Sequence, residues 1–444
     1  MKTKSLFATF LTAALLTSGY AETLDKVKLD QFFDRLAEKK KAMGSLTIVK
    51  DGQVLYTRAI GYAQVDATAK KPLTEASRFR IASITKTYTA VMILQLVEEG
   101  KLKLTDTLGK FFPRVANARK ITIRQILAHR SGIPNVRREQ ATWKPGAAVT
   151  KDEMLAVIVK GTPEFEPDTK SSYSNSGYFL LGLILEKLTG KPYDQALEER
   201  INSRIGLKDT YLATGRIDVN KGEALTYANT GGDWKRWRDG FETHPSIGFQ
   251  LISTPGDMAK FIAALFDLKL ISQDSLHQMK TMIDDEGFGL VTFTFAGKTF
   301  YGNTGGGDNY GSWLAYQPEE KLAVAYATNA KVHPVKDIVS GVIDIYYGKP
   351  FEIPAFATIA VSPEVVERYV GVYSSSDAPK KFTITRNGGT LFVQPGSESA
   401  AALEATAQDK FQLVGGRVVI EFDAAKNQMI LKRGGRSLVF TKEK

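Results

Sequence analysis

The chain has 444 residues, 43% hydrophobic and 24% charged, with a formal net charge of +11. That length can bury a sizeable core and leaves room for two domains, and the composition is that of a globular chain rather than a disordered or fibrous one. The absence of cysteine excludes disulfides, thiolate sites and cysteine lipidation. The Lys and Arg residues are spread along the chain without a basic motif, which implies a mild attraction to anionic surfaces or envelope polymers and no nucleic-acid partner.

Met1-Lys-Thr-Lys4 is a basic start, Leu6 to Leu16 is apolar, and Ser18-Gly-Tyr-Ala21 ends the run with small residues. This pattern predicts a cleavable secretory leader over residues 1–21, a periplasmic or secreted mature chain, and no stable membrane insertion once the leader is gone. Leu24 to Met43 predicts an amphipathic helix closed by Gly44. Ser45 to Lys50 and Val54 to Ala59, joined by Asp51-Gly52, predict a β-hairpin. Arg80-Ile-Ala-Ser-Ile-Thr-Lys86 then opens a run, Val91 to Val97, that is apolar on nearly every side and stops at Gly100, as a fully buried helix does. Thr122 to His129 predicts a short helix, and Tyr178 to Leu188 a buried one ending at Gly190. Ser253-Thr-Pro-Gly-Asp257 leads into a helix from Met258 to Leu268. Gly287 to Phe295, Trp313 to Gln317 and Leu322 to Ala327 predict strands around the glycine-rich Asn303-Thr-Gly-Gly-Gly307, and Val335 to Tyr347 a last helix. A hairpin at the start and strands at the end imply one antiparallel sheet completed by both ends of the domain, with a helical lobe inserted.

Residues 349–363 hold three prolines and no periodicity, as a linker does. From 364 to 444 the texture changes to short alternating runs, Phe382 to Thr385, Leu391 to Val393, Lys410 to Leu413, Val418 to Phe422, Met429 to Leu431 and Leu438 to Phe440, separated by glycine turns. They predict a small all-β meander, sandwich or barrel with a structural role, as a cover or a partner surface.

The chemistry concentrates in three places. Ser83 and Lys86 stand three apart, so on a helix their side chains share a face about 5–6 Å apart at Cβ. A serine there meets free backbone N–H groups and the positive end of the helix dipole, and a nearby lysine can act on its proton. Tyr173 and Asn175 lie two apart in a tight loop and can face one cleft. Asn303-Thr304-Gly305 lies on an expected strand where glycines admit close approach of a substrate backbone. Other schemes fit badly. There is no G-x-S-x-G and no phosphate-binding glycine loop, and His129, His244, His277 and His333 have no metal-ligand spacing and are expected to be capping or surface residues. No metal and no cofactor is expected.

With Ser-x-x-Lys, Tyr-Ser-Asn and Asn-Thr-Gly in that order, the chain resembles the penicillin-recognising serine hydrolases: the class C β-lactamases, D,D-carboxypeptidases, β-lactamase-like esterases and D-aminopeptidases. Val97-Glu-Glu-Gly-Lys-Leu102, Leu127-Ala-His-Arg-Ser-Gly-Ile-Pro134, Leu181-Gly182 and Ser253-Thr-Pro-Gly-Asp257 support the resemblance, which covers roughly Gly44 to Tyr347. It implies an α+β, β-lactamase/transpeptidase-like fold, with the hydrolase domain at 22–348. The small β-domain resembles the β-barrel appendages of some of these hydrolases. The resemblance also implies two-step acyl transfer. Ser83 is the nucleophile, Lys86 and Tyr173 share the proton work with the base left open between them, and Asn175 orients Lys86. The backbone N–H groups of Ser83 and Gly306 form the oxyanion hole, and Asn303, Thr304, Gly305 and Asp308 line the substrate. One departure stands out: the family usually has Lys or His where this chain has the neutral Asn303, and Asp308 adds an acid nearby. The expected substrate is an ester or amide, a D-amino-acid peptide of the cell wall; the alternatives are a non-catalytic wall-peptide binder and a β-lactamase proper.

Overall fold

The structure, a computed structural model, describes residues 24–443 except 67–68, 136–148, 214, 231–232, 238–248, 308, 357–358, 397, 399, 414–417 and 434–435. The expected leader, His244 and Asp308 lie outside the described residues. Helix α1 (Lys26–Glu38) starts at Asp25, whose side chain accepts the Lys28 N–H at 2.8 Å, and it buries Leu29, Phe32, Phe33 and Leu36 along one stripe. It stops short of the expected Met43 because Lys40 takes a left-handed φ of 51° and Ala42 already opens strand β1 (Ala42–Lys50). Gly44 does not end the helix. It lies inside β1, where a Cβ would come within 2.4 Å of the Ala327 carbonyl oxygen. The hairpin to β2 (Gln53–Ile60) forms as expected, with positive φ at Asp51 and Gly52 matching the twist of the flanking strands.

Among the helices that follow, three pack together beneath the sheet. Helix α2 (Thr85–Glu98) is buried at every position from Thr85 to Leu96. Helix α3 (Asn175–Thr189) begins three residues before the expected Tyr178 because the Ser174 side chain caps it, accepting the Gly177 N–H at 3.3 Å, and it ends at Gly190 with φ 67°. Helix α4 is Pro255–Phe266, capped by Thr254. Strands β3 (Val291–Phe295), β4 (Lys298–Gly306), β5 (Gly311–Gln317) and β6 (Leu322–Lys331) then complete a six-stranded antiparallel sheet in the order β3-β4-β5-β6-β1-β2.

Strand β6 pairs with β1 from Ala42 opposite Lys331 to Lys50 opposite Leu322, so the two ends of the domain meet at the sheet's centre. Along β6, Leu322, Val324 and Tyr326 join the core that holds α1 and α5 (Val335–Tyr346), while Ala323, Ala325 and Ala327 join the core that holds α2, α3 and α4. This period of two is the strand's own geometry. The small alanines leave room for the helices α2, α3 and α4.

The C-terminal part is a closed, up-and-down barrel of eight strands, from β7 (Gly371–Ser375) to β14 (Arg436–Lys442), sealed where Tyr373 pairs with Lys442. Two of the strands, Gly371–Ser375 and Ala401–Ala407, have no counterpart in the sequence expectation. The interior is filled by Ile384, Leu391, Phe411, Ile420, Phe422, Met429 and Phe440, so the barrel is a packed core. It meets the first domain through Lys41, which is only 4% exposed and forms an ion pair with Glu404.

Residues 349–356 and 359–362 form no helix or strand. Even so, Phe351 packs edge-on against Phe32 at 5.0 Å and joins Ile353 and Phe356 in covering the α1/α5 core. A hydrolase domain cut at Gly348 loses that cover. A chain ending after Phe356 is expected to be the more stable of the two by on the order of 1–2 kcal/mol, the scale of a partly buried aromatic. Denaturant unfolding of both chains checks this, and equal midpoints would show that the segment is only a tether.

Candidate active site

The chain enters the site through Ala82, which takes a left-handed φ of 45°, a costly conformation for a residue with a side chain. Ser83 sits next, in a 3₁₀ turn (Ala82–Ile84) that runs directly into α2, and Lys86 follows at the second helical position. Neighbouring elements hold the turn from several sides. Ser312 donates to the Ile81 carbonyl at 2.8 Å, Leu251 N–H donates to Thr85 Oγ1 at 3.0 Å, and Thr87 donates to the Gly289 carbonyl at 2.6 Å.

Tyr173 and Asn175 reach this turn from the start of α3. Tyr173 Oη lies 2.5 Å from Ser83 Oγ, and Lys86 Nζ lies 3.3 Å from the same oxygen. Lys86 also donates to Asn175 Oδ1 at 2.8 Å, and its ammonium stands over the rings of Tyr173 and Tyr178 at 4.8 and 5.7 Å. Asn175 is itself fixed: its Nδ2 donates to Asn135 Oδ1 at 3.2 Å. Lys86 is buried while the Tyr173 ring is 37% exposed, so the serine–phenol pair is reachable from solvent and the cation behind it is not.

The third segment lies at the end of β4. Gly305 fits so closely that a Cβ there would stand 2.2 Å from the Ile81 carbonyl oxygen and 2.9 Å from Ser83 N. The end of β4, with the expected oxyanion donor Gly306, therefore runs beside the nucleophile's own N–H. Asn303, expected to line the substrate, has both ends of its carboxamide engaged. Its Nδ2 donates to the Gly289 carbonyl at 3.0 Å and its Oδ1 accepts the Thr304 N–H at 2.8 Å, so its carboxamide ties β4 to the 287–290 loop.

Sequence reasoning passed over several residues here. His129 is 3% exposed rather than at the surface, and burial together with the Lys86 charge pushes its pKa down to about 3. The other two described histidines fit the expectation better: His277 is exposed, and His333 is half-buried against Phe356. Glu286 is half-buried. Burial, set against the attraction of Lys86 and with some repulsion from Asp285, raises its carboxyl to about 6. Arg130 clamps two loops, donating to Asp168 at 2.6 Å and pairing with Asp284 beside Glu286. His129 and Arg130 lie inside Leu127-Ala-His-Arg-Ser-Gly-Ile-Pro134, so the signal was present as a motif. Glu286 had none.

A family profile described as Beta-lactamase matches residues 29–340. A penicillin-binding protein of Bacillus subtilis (strain 168) is 26% identical, with 91% of this chain and 96% of that protein aligned. The D-alanyl-D-alanine-carboxypeptidase/endopeptidase AmpH of Escherichia coli (strain K12) is 26% identical over 80% of this chain and 100% of that protein. Among solved structures, the D-amino acid amidase of Ochrobactrum anthropi SV3 matches with a TM-score of 0.62 and 27% identity, over 72% of this chain and 99% of that one. An octameric penicillin-binding protein homologue of Pyrococcus abyssi matches with a TM-score of 0.65 and 25% identity, over 94% of this chain and 100% of that one.

The closeness of Gly305 to Ser83 gives a direct test. Gly305→Ala must push β4 away from the Ile81–Ser83 turn, and a misplacement of about 1 Å at a reacting centre costs on the order of 10²-fold. The variant is expected to fold yet label at Ser83 with a fluorophosphonate at least tenfold more slowly, by the same rule. An unchanged labelling rate would show that the strand is free to shift without consequence.

Proposed function

This chain belongs to the beta-lactamase family, and on that premise we propose that it is an exported serine hydrolase. It forms an acyl-enzyme at Ser83 and hydrolyses an ester or amide, with D-amino-acid peptides of the cell wall as the substrate class. One observation carries the reading: Ser83 Oγ has a phenol oxygen at 2.5 Å and an ammonium nitrogen at 3.3 Å. That is the arrangement of a nucleophile with its proton acceptor in hydrogen-bond reach and a charge to steady the transfer. Relatives named as a carboxypeptidase and an amidase support the reaction type. The basic and apolar start of the sequence supports export, and among the described residues no helix is long and apolar enough to cross a membrane.

In the proposed reaction Ser83 Oγ attacks the substrate carbonyl carbon while its proton passes to the Lys86–Tyr173 pair. The carbonyl oxygen becomes an oxyanion facing the Ser83 and Gly306 N–H groups. Collapse breaks the bond to the alcohol or amine, which takes the proton from the pair and leaves. Water then attacks the ester on Ser83, gives a proton to the same pair, and the acid departs as Ser83 regains its hydrogen. Asn175 keeps Lys86 in place through both steps. No cation stands at position 303, and its amide is engaged with Gly289. This favours neutral substrates, or substrates bearing an amine, over the carboxylate-bearing β-lactams and carboxypeptidase substrates.

Two sets of measurements test this. Ser83→Ala is expected to abolish both fluorophosphonate labelling and turnover while keeping the fold. Lys86→Met and Tyr173→Phe should each lose about 10²-fold or more. Turnover surviving in Ser83→Ala would sink the assignment, and a wild type that never labels would favour a wall-peptide binder. The second set compares kcat/KM for nitrocefin with that for a neutral ester. Wild type should prefer the ester. Asn303→Lys should move the ratio toward nitrocefin by roughly ten- to a hundredfold, the worth of a charge-assisted hydrogen bond, and less at high salt. Efficient nitrocefin hydrolysis by wild type, with an unchanged ratio in the variant, would show that another group holds the carboxylate.

A further inference from the structure

Tyr173 stands in a loop, and a loop is a poor place from which to hold a phenol against a serine. Three contacts from one residue compensate for this. The His129 carbonyl accepts the Ser172 N–H at 2.9 Å, its ring nitrogen Nδ1 accepts the Ser174 N–H at 3.1 Å, and its ring lies against the Tyr173 ring with centroids 4.6 Å apart. The backbone on both sides of Tyr173 and the face of Tyr173 itself are thus registered on a single residue, one side through its carbonyl and the rest through its ring. That ring also lies 5.0 Å from Tyr178, the second aromatic under the Lys86 ammonium.

From this three-point grip we propose that His129 is a positioning residue for the acyl-transfer step. It holds Tyr173 at Ser83 as a neutral imidazole that carries its proton on Nε2. The inference rests on the acyl-transfer reading above. The tautomer follows from the bond: a nitrogen that accepts the Ser174 N–H cannot carry a hydrogen of its own. His129 takes a left-handed φ of 57°, a region in which His and Asn are enriched, and this lets its carbonyl and its ring address the same short segment. Ser174 is 3% exposed, so removing the acceptor would leave a buried N–H without a partner. A protonated ring would lose the same bond and set a second cation near Lys86, and the low pKa of the group fits that penalty. The titratable groups that face the ring are Lys86, Tyr173 and Tyr178.

The test separates the ring from the acceptor. His129→Phe keeps an aromatic face and loses the acceptor, whereas His129→Asn keeps an acceptor and suits the left-handed backbone. The maximal rate of Ser83 labelling by a fluorophosphonate is expected to fall about ten- to a hundredfold in His129→Phe, with little change in apparent affinity. His129→Asn should recover most of that loss. Equal rates in His129→Phe and wild type would overturn the inference, and so would equal losses in both variants at wild-type melting temperature. A wild-type measurement does not depend on the variants folding. In ¹⁵N-histidine-labelled protein, the His129 ring should show an Nε2–H tautomer that does not titrate between pH 8 and 5, and a proton on Nδ1 or titration in that range would also overturn it. A wild type that fails to label at all would count against the acyl-transfer reading instead, since the ring spectrum tests His129 without it.

Discussion

The site is built around the burial of one ammonium group. Lys86 is only 9% exposed, and a cation out of water must be surrounded by acceptors and π faces or it destabilises the fold. Its partners are Asn175 Oδ1, Ser83 Oγ and the faces of Tyr173 and Tyr178. These groups arrive on two separate pieces of chain, the turn before α2 and the start of α3. The demand for a partnered cation therefore draws Ser83, the phenol and the amide to one point. Removing any of them leaves the charge less compensated, so the proposed catalysis and local stability would share the same contacts.

The sheet contributes closeness rather than charge. Strand β4 lies against the Ser83 turn only because Gly305 has no side chain, and its cross-strand neighbour Ser312, together with Leu251, holds the turn there by hydrogen bonds. The same economy appears in β6, where alanines face the helices and bulky residues face α1 and α5. The strained Ala82 belongs to this set. Its left-handed backbone is held by hydrogen bonds on either side of the serine, which is how an unfavourable conformation persists at a site of chemistry.

Much of this was legible in the sequence where a single local rule decides the outcome. The all-round apolar run after Lys86 could only be a buried helix, Asp51-Gly52 could only turn a hairpin, and Ser-x-x-Lys with Tyr-Ser-Asn gave the cluster that the fold brings together. Long-range effects hid the rest. The basic residues after Glu38 looked like the end of a longer helix, but Lys41 leaves it to pair with Glu404 across a gap of more than 360 residues. Gly44 looked like a helix stop and is instead a close strand contact. Strands such as Ala401–Ala407 are poor in β-branched residues and exist because the barrel needs them to close. His129 looked like a capping residue because nothing in a histidine's neighbours reveals which distant ring it will support.

The electrostatic character of the cleft follows from residues that no local rule singles out. The resemblance leads one to expect a cation at the start of the third segment. Here a neutral amide stands there and is drawn onto the Gly289 carbonyl, in the loop that also carries Glu286. The Glu286 backbone bridges to Ile283, but its side chain makes no hydrogen bond or ion pair among the described residues, and burial raises its carboxyl to about 6, so above that pH it places a negative charge near Lys86. On the proposed reading, an amide at position 303 and an acid set against the already partnered Lys86 would make the field at Ser83 less welcoming to an anionic substrate and more welcoming to a cationic or neutral one. The acyl transfer proposed at Ser83 needs neither group. On the proposed reading, the choice of substrate falls to the 287–290 loop and the end of β4 that Asn303 ties to it.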